Sequence, residues 1–79
     1  MATMPAKPMS AKRVLDTYFL ETRAKLIEIA ANLDRMDRAP DLAELRGDVR
    51  LTFIAEALKV LESPGPGRTE RILRLYSKG

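Results

Sequence analysis

The chain has 79 residues, of which 46% are hydrophobic, and it contains neither cysteine nor histidine. That composition excludes disulfides, thiolate metal sites and the commonest general base, so a small domain of marginal intrinsic stability has oligomerisation as its remaining remedy. The net charge of +3 is carried by the ends: Lys7, Lys12 and Arg13 precede an acidic-leaning middle, and Arg68, Arg71, Arg74 and Lys78 follow it.

Residues 1–9 hold Pro5, Pro8 and three methionines and are expected to form a flexible arm. They lack the apolar run of a secretory signal, and no stretch approaches the roughly 18–20 apolar residues of a membrane span. Together with the absence of cysteine, this leads to the expectation of a cytoplasmic protein without membrane contact.

Ser10 is a suitable N-cap, and a helix is predicted over about 11–38, free of Gly and Pro. Leu15, Phe19, Thr22, Leu26, Ile29, Leu33 and Met36 recur at alternating steps of four and three. Leu20, Ala24, Ile27 and Ala31 form a second row, roughly 140° away at about 100° per residue. One row suits a hairpin partner, and two rows suit a helix packed from both sides. Glu21 and Lys25 stand at the favourable i,i+4 order, and Arg35 and Arg38 suit the negative end of the helix dipole. Pro40 disfavours the helical conformation at Ala39 and ends the run.

Asp41 with Glu44 reads as a capping box for a second helix over about 42–62, with Gly47 inside it as a tolerated helical glycine. Its apolar arc is about 200° wide, whereas the surface helix of a monomer needs roughly 100°. The arc contains Leu42, Val49, Phe53 and Val60, extended by Leu51, Ile54, Leu58 and Leu61. Ser63-Pro64-Gly65-Pro66-Gly67 is a break. A short third helix over about 68–77 should dock through Ile72, Leu73, Leu75 and Tyr76.

The expected fold is therefore all-α: an antiparallel helical hairpin plus a short C-terminal helix within one domain over 10–79. It is expected to assemble as a four-helix-bundle-type homodimer. The heptad row would face the second helix of the hairpin. Leu20, Ala24, Ile27, Ala31, Leu51, Ile54, Leu58 and Leu61 would then form the interface with a second copy or a protein partner, the alternative being a three-helix monomer in which the third helix covers this surface.

Catalytic and ligand-binding chemistry finds little footing. Arg46 and Arg50 lie one turn apart inside the second apolar arc, and arginine forks suit carboxylates and phosphates. Antiparallel registration gives Arg46 nearby acids in Asp34 and Asp37, so an internal ion pair outweighs a site for a small anion or an enzyme reaction. Glu21, Glu28 and Glu56 lack the histidines of bundle metal sites, and neither a metal nor a cofactor is expected. Arg68, Arg71, Arg74 and Lys78 could serve nucleic-acid phosphates or an acidic partner, but no nucleic-acid motif surrounds them. The function read from the residues is a non-catalytic helical interaction and assembly module. Nucleic-acid binding through the basic ends is the first alternative, and anion binding or catalysis at Arg46 and Arg50 the second.

Overall fold

A computed structural model describes residues 9–77. Within that range the chain is all-helical: α1 spans Ala11–Arg38, α2 Val49–Glu62 and α3 Arg68–Ser77, with a single 3-10 turn at Leu42–Leu45. A long helix followed by two shorter ones is the order of a helical hairpin with a C-terminal helix. The chain divides into two compact units, Met1–Ala39 and Pro40–Gly79.

The first unit is built on α1. Ser10 caps it in an extended conformation, its Oγ accepting from the Arg13 amide at 3.1 Å. The 28 residues extend about 42 Å. Their exposed side is laced by Lys12–Asp16 at 2.8 Å and Lys25–Glu21 at 2.9 Å, each one turn apart. Thr17 and Thr22 turn their hydroxyls back onto the carbonyls of Arg13 and Tyr18, so neither presents an unmet donor. The helix stops as the proline rule demands: Ala39 is extended at φ −72°, ψ 140°, immediately before Pro40.

The second unit departs from the expected continuous helix over 42–62. Asp41 makes no side-chain capping bond, and Leu42–Leu45 winds only one 3-10 turn. Gly47 then takes φ +83°, a left-handed conformation that a helix interior excludes. The true start of α2 lies one residue on, where Asp48 accepts from the Arg50 amide at 2.8 Å. Gly47 thus stops one helical turn and Asp48 starts the next helix, and Leu42 falls outside the apolar arc of α2.

Two short helices, 14 and 10 residues long, are near the limit at which an isolated helix is marginal. They pack on one another. Phe53 meets Tyr76 edge-to-face, with ring centroids 5.5 Å apart at 68°. Ile72 and Leu75 of α3 are half-buried, and Leu73 stays exposed.

The linker between them is held by side chains. Ser63 caps the end of α2, its amide donating to the carbonyls of Lys59 and Val60 and its hydroxyl to Val60 at 2.7 Å. Arg68 donates Nε and Nη2 to the Ser63 carbonyl at 3.0 and 2.6 Å. Arg71 donates Nη1 to Ser63 Oγ at 3.2 Å.

The left-handed Gly47 reverses the sign of a routine substitution. A helical glycine replaced by alanine gains stability. Gly47→Ala is expected instead to lose about 1 kcal/mol in urea denaturation, with Gly47→Asn losing less. An added Cβ would meet no atom within 4 Å, so the loss is conformational and free of any clash.

Candidate interaction surface

No described residue is buried. The apolar side chains of the described residues are therefore half-buried or exposed, and α1 carries the longest exposed stretch. From Ala11 to Ala30 every residue is exposed. On the heptad row Leu15 is 60% exposed, Phe19 51% and Leu26 54%, with Leu33 and Met36 half-buried at the C-terminal end. On the second row Leu20 reaches 76% and Ile27 50%, Ala24 is exposed and Ala31 half-buried. Both rows singled out by their spacing thus present apolar side chains to solvent, separated by Asp16, Arg23 and Asp34 on one side. Contiguous apolar surface of this kind marks interaction sites in soluble chains.

The second unit carries a shorter apolar surface. Leu51 and Ile54 are half-buried, whereas Leu58 and Leu61 are exposed. Val49, at the start of α2, is more open than any of them. An open groove of about 530 Å³ runs between α2 and α3, lined by Val49, Thr52, Phe53, Leu75 and Tyr76 with Arg50 and Glu56 at its polar edge.

The arginines are placed by local chemistry. Arg50 reaches back to Asp48, Nε to Oδ1 at 3.0 Å and Nη2 to Oδ2 at 2.8 Å, a bidentate fork within one helical turn. That pairing and the backbone bond from the Arg50 amide hold the Asp48 carboxyl down at about 2, and the guanidinium is raised in return. Arg46 lines a shallow depression with Leu42, Leu45, Gly47 and Leu51 and has no ion pair among the described residues. Arg68 and Arg71 are engaged with the linker, and Arg74 pairs with Glu70 at 3.3 Å. Lys78 lies outside the described residues. Three of the four cations of the C-terminal cluster thus have partners in their own chain.

The signals for these roles were short-range. Gly47-Asp48 is a helix stop followed by a helix start, and Asp48 with Arg50 is a capping carboxylate with its counter-ion two residues on. Arg68 and Arg71 sit five and eight residues beyond Ser63, a spacing that becomes meaningful only once the Pro-Gly linker has turned the chain back. Among the described residues no three acidic side chains gather as metal ligands, and no helix is long and apolar enough to cross a membrane. No protein-family model, no curated protein and no solved structure matches the chain.

Two measurements check these assignments. Arg68→Ala is expected to lower the stability of the chain by about 1 kcal/mol, because the Ser63 carbonyl loses two charged donors. Arg74→Ala, removing one exposed i,i+4 pair, is expected to change it by less than about 0.5 kcal/mol. The Asp48 carboxyl is depressed in the folded chain, so its contribution is complete above the ordinary carboxylate range near 4 and is lost as pH falls through about 2. Helical circular dichroism of the parent chain should exceed that of Asp48→Asn at pH 5 and converge with it near pH 2. A constant difference across that range would rule the pairing out.

Proposed function

We propose that this protein is a small non-catalytic assembly module that works by burying apolar helix faces against a copy of itself or against a helix of a protein partner. One observation carries the reading: α1 holds two apolar rows at helical spacing with large side chains of both exposed, Leu20 most of all. Each such side chain taken from exposed to buried contributes about 1.5–3 kcal/mol. Four or five of them exceed what the Phe53–Tyr76 contact and the linker bonds supply to the second unit. The exposed Val49, Leu58 and Leu61 of α2 add surface of the same kind.

The arginine positions support the same direction. Arg50 and Arg74 pair with acids of their own chain, and Arg68 and Arg71 spend donors on Ser63, so these four side chains are committed to local structure. On this reading apolar burial is the main interaction of the surface.

Size-exclusion chromatography with light scattering tests the reading. The parent chain is expected to run above the monomer mass at about 0.1 mM. Glutamate in the row that is buried is expected to shift it toward monomer, Phe19→Glu or Leu26→Glu for the heptad row and Leu20→Glu or Ile27→Glu for the second row. A parent chain that is strictly monomeric, and that retains no helical partner protein, would contradict the proposal.

A further inference from the structure

We infer that the heptad row of α1 is a parallel, in-register seam to the same row of a second copy of this chain. The inference rests on the self-association reading above and specifies its partner, surface and direction; it gives the second copy the row expected from the sequence to face the hairpin partner, because Leu15, Phe19 and Leu26 of that row are exposed.

The row keeps its four-three alternation from Leu15 to Met36 without a break, a repeat of 3.5 residues that makes two helices wind about each other. Leu15, Thr22, Ile29 and Met36 occupy one seam position, and Phe19, Leu26 and Leu33 the other. The seam is about 32 Å long on a helix about 10 Å wide. It occludes on the order of 600 Å² per chain, which brings a pair of copies to about 1,200 Å², the lower edge of stable interfaces. A second copy is therefore large enough to cover it, with no further partner required.

The polar residues set the direction. In the parallel arrangement each seam residue faces its own counterpart, so Thr22 meets Thr22 and all other layers from Leu15 to Met36 are apolar. The Thr22 hydroxyl already donates to the Tyr18 carbonyl at 2.8 Å, so this layer closes with no unmet donor. The flanking positions then place Tyr18 beside Arg23, Lys25 beside Ala30 and Asn32 beside Asp37 of the other copy: a cation over a ring, a neutral contact and an amide–carboxylate pair. Among these flanking pairs no like charges meet, and the one like-charged layer is Lys12 opposite Lys12. Lys12 closes the N-terminal end with its ammonium held by Asp16 of its own chain at 2.8 Å.

The antiparallel alternatives are worse on both counts. The register that keeps Leu15 to Leu33 paired sets Lys25 against Lys25 and Arg23 against Arg23, and it spreads Thr22 over two layers, each opposite Leu26. A shift by one heptad removes those clashes but sets Asp16 against Asp37 twice. Further shifts shorten the seam and lose layers at one end. Flanking charges and polar layers are what fix direction and register when the apolar drive is common to all arrangements.

The chain has no cysteine, so a single introduced thiol reports on this geometry alone. Lys12→Cys and Met36→Cys, at opposite ends of the seam, are prepared as full-length variants and oxidised under mild conditions, and their helical circular dichroism is compared with that of the parent. Each variant alone is expected to give a covalent dimer in high yield, and an equimolar mixture to give few mixed dimers from unlike thiols. Self-linking that fails while the mixture links would overturn the direction. A parent chain of dimer mass whose variants link in no combination would overturn the seam and leave the self-association reading standing. A parent chain that light scattering finds monomeric at about 0.1 mM overturns both.

Discussion

Apolar surface without an interior to hold it is the constraint on which this small chain depends. Nearly half its residues are hydrophobic, yet no described residue is buried. A chain of this size has a marginal core at best, and here no described residue reaches one. The 28-residue α1 concentrates the consequence, because a single helix has no interior and its two rows cannot be hidden by α1 itself. Burial against another molecule is the solution we propose, with the long helix as its surface.

The second unit solves the same problem locally and on a smaller scale. Its two short helices cross-brace through one aromatic pair, and three polar devices keep the chain folded back between them: the Ser63 cap, the Arg68 fork and the Arg71 contact. Asp48 and Arg50 fix the start of α2 in the same way. These bonds are local, so they work without a core. They also account for arginines that, on charge alone, invite a reading as an anion site.

What the residues disclosed follows from the range of the interaction involved. The extent of α1, its Ser10 cap, the Glu21–Lys25 pair and the Pro40 stop depend on neighbours within a turn, and spacing alone exposed them. The break at Ser63–Gly67 was equally plain. The second helix starts later than its spacing predicts because the capping pattern of Asp41 and Glu44 competes with Gly47-Asp48, and glycine's left-handed option has no signature beyond its identity. The part played by Arg68 and Arg71 depended on the return of the linker, which spacing does not encode. The apolar rows are legible in the spacing, and the structure adds that their side chains from Leu15 to Ile29 are exposed.

The central claim is that the helical order of α1 is underwritten by contact with another chain. Thermal unfolding followed by helical circular dichroism, at concentrations from about 1 µM to about 100 µM, addresses it directly. Linkage between folding and association requires the midpoint to rise with concentration, by several degrees for a chain of this size. A midpoint that stays constant across that range, with the full helical signal present at the lowest concentration, would contradict the account.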